Sequence, residues 1–318
     1  MLHSPAPMHI PDGFLSLAVS LFFWLVSILV ISLALKNFNK ELDDKKIPLM
    51  GILAAAIFAG QMLNFSVTGG TSGHLLGAAL ATILVGPWSA VIVMTAVVST
   101  QAIIFQDGGI LALGANLFNM AVVGVAVSYG FYQIVQKLAK GKSWGIITGS
   151  VLASWASIFI ASLSAAIMLA LSGTSPANIA IPAMAAIHAI IGIGEALITL
   201  GAVSFLVVTR KDLFSQVNES QTSSKSMLLG GVLLTLVLAI FSPMASSHPD
   251  GLEWVAEQNG FLSAAKDSLY QIIPDYVLPG LADERLATIA AGIIGAALVF
   301  AIAFFTAYSR RQRETIQE

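Results

Sequence analysis

The sequence predicts an all-α integral membrane protein with about nine transmembrane crossings, and three observations predict it. Of its 318 residues, 57% are hydrophobic and only 10% charged, with a mean hydropathy of +0.86; soluble domains carry about a quarter charged residues. Apolar runs of spanning length recur along the whole chain. Lysine and arginine gather in a few short segments between those runs.

A crossing needs about 20 apolar residues, because the hydrocarbon core is about 30 Å thick and a helix rises about 1.5 Å per residue. The runs are 14–35, 47–66, 88–105, 110–136, 143–171, 183–208, 227–243 and 287–308. A ninth, 75–86, ends at Gly86-Pro87, a pair that stops or kinks a helix, and is expected to be a short or re-entrant crossing. The basic clusters are Lys36, Lys40, Lys45 and Lys46; Lys137, Lys140 and Lys142; Arg210 and Lys211; and Arg310, Arg311 and Arg313. Basic residues mark the cytoplasmic side. Placing all four clusters there requires nine crossings with the N-terminus outside. The external segments are then 1–13, 67–74, 106–109, 172–182 and 244–286.

The first thirteen residues lack the basic region and cleavage site of a signal peptide. Residues 8–210 are expected to form a seven-crossing unit and 211–226 a polar cytoplasmic linker. Residues 227–308 are read as a helix pair joined by the external loop 244–286. The expected location is the cytoplasmic membrane, as a multi-pass protein.

Composition removes several chemistries. There is no cysteine, which excludes thiolate metal sites, disulfides and thiol catalysis. A net charge of −2 without a basic stripe gives no case for nucleic acid. The chain has no Gly-x4-Gly-Lys-Ser/Thr loop, so it does not hold ATP by that route, and no His-Glu-x-x-His metalloprotease motif.

All five histidines, His3, His9, His74, His188 and His248, fall on or near the external side of this topology. His9 stands just before the first helix in Met8-His9-Ile10-Pro11-Asp12-Gly13-Phe14, and His74 closes Thr68-Gly69-Gly70-Thr71-Ser72-Gly73-His74. Imidazole suits Ni, Co, Cu and Zn, and the glycines permit tight turns and close backbone approach. The same histidines could equally be interfacial groups hydrogen-bonded to nearby loops. His188 and Glu195, seven apart on one helix, share a face and are either a functional intramembrane pair or a buried polar pair. His248 reads as a surface residue. The acidic residues of the external loop, Asp250, Glu253, Glu257 and Asp267, read as a solvated face.

Two other classes can be weighed. Gly70-Thr71-Ser72-Gly73 has the form of an intramembrane serine-protease nucleophile, with His188 as its base. Ser72 however falls at the outer surface, and that reading leaves the Met-His motif unexplained. An ion-coupled secondary transporter predicts midplane charges and internal symmetry; only Glu195 comes close.

Met8-His9-Ile10-Pro11-Asp12-Gly13-Phe14-Leu15 resembles the N-terminus of the substrate-binding M subunit of energy-coupling-factor cobalt/nickel transporters. Gly69 to Gly77, Gln101 to Gly109 and Gly114 to Met120 match the same family in the same order, over roughly residues 8–210. Pro249-Asp250-Gly251-Leu252-Glu253 resembles the opening of the external loop of the small N subunit, here fused to the M unit. The resemblance implies import of Ni(II) or Co(II) as substrate, with no cofactor of the chain's own. It implies a metal held by the amine of Met8, the amide nitrogen and imidazole of His9, and His74. Such a flat nitrogen field leans toward nickel, whereas Mg and Ca want oxygen. Asn64, Gln101, Asp107 and Asn116 are candidates for orienting the ligands, or alternatively for joining helices. Implied partners are a transmembrane coupling (T) subunit and two cytoplasmic ATPase (A) subunits.

Seven residues precede Met8 in this chain. An amine at Met8 therefore requires translation to start there, the favoured reading; otherwise Met1-Leu2-His3 offers a second nitrogen chelate. Metal capture with loss of protons predicts affinity rising with pH through the imidazole range. The small-residue set Gly51, Ala54, Ala55 and Ala59 suits docking onto the coupling subunit or ordinary helix packing.

Overall fold

A computed structural model of the chain describes residues 8–38, 42, 46–210, 213–214 and 224–315. His3, Lys40, Lys45, Lys211 and most of the linker lie outside the described residues. The helices are α1 (Leu17–Asn37), α2 (Lys46–Gln61), α3 (Ala78–Val85), α4 (Pro87–Ile104), α5 (Leu113–Leu117), α6 (Gly124–Ala139), α7 (Ser143–Leu171), α8 (Ala177–Thr209), α9 (Ser224–Phe241), α10 (Gly251–Gln258) and α11 (Glu284–Thr315). A π-helical segment, Phe118–Val123, joins α5 to α6 into one long span. Seven helical spans among the described residues are long and apolar enough to cross a bilayer. With α2 and the short α3 the count reaches nine, so the expected all-α membrane architecture holds.

Apolar side chains face outward as well as inward. On α1, Leu17, Leu21, Phe22, Leu25, Leu29 and Leu33 are exposed, while Ser20 and Ser27 are buried. This is the arrangement expected when the surrounding solvent is hydrocarbon. Ser27 donates its hydroxyl to the Gly114 carbonyl at 2.7 Å. A Cβ on Gly114 would stand 2.5 Å from the Trp24 Cα, so glycine is what lets α1 lie against α5.

At eight residues α3 spans only about 12 Å, and nearly all of it is buried. Gly77 (φ +79°) begins it and Gly86 (φ +92°) ends it, and Pro87 starts α4 at the helix position where a missing N–H is harmless. The broken crossing is thus enclosed by protein, where its free backbone groups can be paired.

Two elements were not expected. The glycine-rich segment is a β-hairpin, β1 (Phe65–Val67) with β2 (Thr71–Gly73), in register Phe65↔Gly73 and Val67↔Thr71. Its turn uses Gly69 and Gly70 at positive φ. The external loop contains α10, capped by Asp250, whose side chain accepts from the Glu253 N–H at 2.7 Å.

All the expected external segments that are described meet at one end of the molecule. The Lys266 N–H donates to the Asp12 carbonyl, Ser72 N–H to Pro249, Ser246 N–H to Asn64, Gly109 N–H to Ile10, and Ile273 N–H to Ile104. Thr174 reaches the Phe14 carbonyl.

The C-terminal helices do not stand apart. Gly51 packs on Phe300 of α11, Gly231 of α9 on Ile52, and Gly295 of α11 on Phe58. The small-residue face of α2 is therefore occupied by the chain's own α9 and α11, because glycine and alanine allow helix backbones to approach closely.

Candidate metal centre

Residues 8–12 run as an extended strap along the loop after α4. The strap fits because of two glycines: a Cβ on Gly108 (φ +94°) would lie 2.8 Å from the His9 Cβ, and one on Gly109 would strike Asp12. Asp12 accepts the Ile110 and Ala112 amide protons at 3.1 and 3.0 Å. Asn116, on α5, holds the strap at both faces of one residue, accepting from Ile10 N–H at 3.0 Å and donating to Ile10 C=O at 3.1 Å.

One carboxylate oxygen gathers the nitrogens of the strap. Asp107 Oδ1 lies 2.7 Å from Met8 N, 3.2 Å from His9 N and 3.3 Å from His9 Nδ1. Asp107 Oδ2 accepts the Tyr276 phenol proton at 2.6 Å. In the chain as written Met8 follows Pro7, so its nitrogen is an amide.

The His74 ring approaches the His9 ring edge-on, with centroids 5.9 Å apart. Both imidazoles place Nδ1 against a backbone carbonyl, His9 on Asp107 at 3.2 Å and His74 on Leu75 at 3.0 Å. A carbonyl can only accept, so at His74 Nδ1 carries the hydrogen and Nε2 keeps its lone pair. His9 Nε2 is buried without a partner. Burial draws the His74 imidazole from 6.5 down to about 4, and neighbouring His9 adds to the fall. It is therefore neutral near pH 7, as a metal ligand must be.

The two rings line a cavity of about 90 Å³, room for a metal ion with two or three waters. Met8, Asn119, Met184, His188 and Asp250 complete much of its wall. His188 donates Nδ1–H to the Met184 carbonyl at 2.9 Å. Among the described residues no three His, Asp or Glu side chains converge closely enough to hold an ion by themselves.

The Gly-rich hairpin is held from three sides. Ser72 donates its hydroxyl to the His248 and Pro249 carbonyls at 2.8 and 3.2 Å, contacts with no imidazole. Glu195, fully buried, accepts the Leu76 and Gly77 amide protons at 2.7 and 3.1 Å. Gln101 donates to Gln61 at 2.8 Å, and Gln61 donates to the Leu76 carbonyl at 2.9 Å.

The family profile described as "cobalt uptake substrate-specific transmembrane region", CbiM, matches residues 9–213. The chain belongs to the CbiM family. A second profile, the PDGLE domain, matches residues 225–312. A putative fused nickel transport protein NikMN of Archaeoglobus fulgidus is 34% identical over 95% of this chain and 99% of its own. The fused nickel transport protein NikMN of Rhodobacter capsulatus is 33% identical over 79% of this chain and 76% of its own. A crystal structure of a truncated transition metal transporter is 38% identical, with a TM-score of 0.57, over 64% of this chain and 99% of that one.

Within this CbiM-type frame, Met8, His9, His74, Asp107 and Asn116 come together at one end of the bundle. Asn64 and Gln101 are buried nearby, yet among the described hydrogen bonds neither reaches an imidazole. Asn64 leaves both side-chain polar atoms unpaired, and Gln101 leaves Oε1 so. His248 is exposed. Asp250 and Glu253 depart from the solvated face expected of them. Burial, then the Glu253 carboxylate, pushes Asp250 well above the usual carboxylate range, and burial, then Asp107, lifts Glu253 to about 7.

Sequence reasoning missed Tyr276, Gln61, Asp12 and the hold of Glu195 on the hairpin. Asp12 was within reach as part of the Met-His motif. The Asp-Gly-Leu-Glu start of α10 carried a helix-cap signal. Nothing in the sequence around Tyr276 marks it.

Proposed function

We propose that the chain is the substrate-specific component of an ATP-driven uptake transporter that captures Ni(II) or Co(II) from outside the membrane. One observation carries the reading: three nitrogens, Met8 N, His9 N and His9 Nδ1, lie within 3.3 Å of one carboxylate oxygen, beside a second, neutral imidazole. The transport names of the relatives and the CbiM membership support the same conclusion.

In this reading the ligands are Met8, His9 and His74, with Met8 as the N-terminal residue of the functional chain. A cation at that focus replaces hydrogens that the nitrogens now direct at Asp107. Asp107 and Asn116 hold the strap in register, and Asn64 and Gln101 are weaker members of the surrounding shell. Residues 8–210 form the capturing unit, 211–226 a linker, and 227–308 a helix pair whose loop covers the site. The chain carries no Walker-type loop, so the energy comes from partners: a coupling T subunit and two ATPase A subunits.

The test is an intact-mass measurement on the purified protein followed by Ni(II) and Co(II) titration of wild type and His74→Ala. A mass beginning at Met8 and stoichiometric binding that His74→Ala abolishes are expected. Binding that survives the substitution would sink the ligand set, and a mass beginning at Met1 would then direct attention to His3.

A further inference from the structure

We propose that Tyr276, in the external loop of the C-terminal unit, is a positioning residue for metal capture, acting through the Asp107 carboxylate. The proposal rests on the capture reading above and adds to it the residue by which the fused unit reaches the site.

Asp107 has two oxygens with divided duties. Oδ1 faces Met8 N, His9 N and His9 Nδ1, whereas the hydrogen bond described for Oδ2 comes from the Tyr276 hydroxyl at 2.6 Å. A carboxylate held at Oδ1 alone could still rotate about its χ2 axis. The phenol fixes that rotation, and with it the point on which the nitrogens converge. Charge-assisted hydrogen bonds of this length are the strong ones.

The loop is built to deliver that hydroxyl. Tyr276 is fully buried, its ring stacked on Phe105 at 4.8 Å and 15°. The backbone clamps the end of α4: Ile273 N–H donates to the Ile104 carbonyl at 3.0 Å and Asp275 N–H to the Phe105 carbonyl at 3.3 Å. Asp275 and Tyr276 both adopt positive φ, +52° and +58°, a conformation that side chains disfavour. Two consecutive non-glycine residues persist there only where surrounding contacts over-determine them. A residue needed only to fill space could do so without a hydroxyl aimed at a buried carboxylate.

Ring filling and hydroxyl donation can be separated. In the full-length protein in detergent, Ni(II) affinity is measured for wild type, Tyr276→Phe, Asp107→Asn and the double variant, with His74→Ala as the reference for loss of the site. The expected result is that Tyr276→Phe binds about ten-fold more weakly, the size of one hydrogen bond to a charged acceptor. Its metal-free thermal transition falls only by the loss of one hydrogen bond, so the protein is still folded at the titration temperature. In the double variant Tyr276→Phe adds little to Asp107→Asn, because two residues acting as a unit are non-additive. Wild-type affinity in Tyr276→Phe, or full additivity in the double variant, overturns the proposal while leaving the capture reading intact, provided His74→Ala has lost binding. Absence of nickel and cobalt binding in wild type removes both. Should Tyr276→Phe unfold, the cycle is run with Tyr276→His, which keeps a ring and a donor; affinity closer to wild type than that of Tyr276→Ala supports the proposal, and equality with Tyr276→Ala overturns it.

Discussion

Glu195 holds the Leu76 and Gly77 main-chain amides, just beyond the hairpin and His74, and this fixes what its removal costs. Glu195→Ala leaves the Leu76 and Gly77 N–H groups buried and unpaired, at roughly 1–3 kcal/mol each. Glu195→Gln keeps an acceptor and loses less. The expected order in detergent thermal unfolding is wild type, Glu195→Gln, Glu195→Ala, with metal affinity following the same order; equal effects of the two variants would contradict the assignment. His74 and Glu253 make opposing contributions to pH dependence. The folded value of His74, about 4, lies below its ordinary 6.5, so the unfolded chain takes the proton first. That contribution is complete above pH 6.5 and lost as pH falls toward 4. Glu253 is raised from 4.5 to about 7, so its contribution is complete below pH 4.5 and lost as pH rises through 7; Asp250 has the same sign. Metal-free Glu253→Gln should therefore gain stability with rising pH between 4.5 and 7 more steeply than wild type. An unchanged slope would count against the burial of Glu253.

At the scale of elements, α10 is seated on α8 through a glycine. A Cβ on Gly251 would stand 2.7 Å from Ile191 Cδ1 and 2.9 Å from His188 Cε1, closer than packed carbons allow. Gly251→Ala should lift α10 and cost about 1–3 kcal/mol, the usual price of overpacking. Melting temperature reads the loss, and a variant as stable as wild type would place α10 elsewhere. Asn116, on α5, faces the strap, and Asn119, in the π-helical segment that follows, faces the cavity and Met168. Such segments recur at functional sites. Ser72 pairs with Pro249 and bridges to Asp250, so the hairpin takes the external loop as a third, single-bridge neighbour. A hydroxyl committed to two carbonyls gives no support to the serine-nucleophile reading; Ser72→Ala should retain metal binding.

Across the whole molecule, the two units are one body around α2. Phe58 on α2 packs its ring at a tilt against both Phe105 and Tyr276, and Gly295 of α11 would meet Phe58 Cζ at 2.1 Å if it carried a Cβ. Cutting the chain by a protease site inserted between 215 and 223 should leave two pieces that copurify in detergent. Gly295→Leu in the cut protein should separate them. Copurification that survives this change would locate the main interface in the external loop. The small-residue face of α2 is thus an internal packing surface, taken up by α9 and α11.

The sequence by itself determined the all-α membrane class and where most of the spans lie, because each follows from local quantities. Run length against bilayer thickness, and the placement of lysine and arginine, need no knowledge of neighbours. The span 143–171 coincides with α7, and the short run ending at Gly86-Pro87 is the broken crossing. Tertiary structure decided what meets what. Asp107 and Tyr276 lie 169 residues apart, Glu195 and Leu76 lie 119 apart, and no periodicity links such pairs. The hairpin was hidden because glycine is permissive, so a glycine-rich run reads as a turn whether or not it pairs. Burial of Asp250 and Glu253 was equally invisible: a carboxylate on an external loop reads as solvated until the helix it caps is seen folded onto the site.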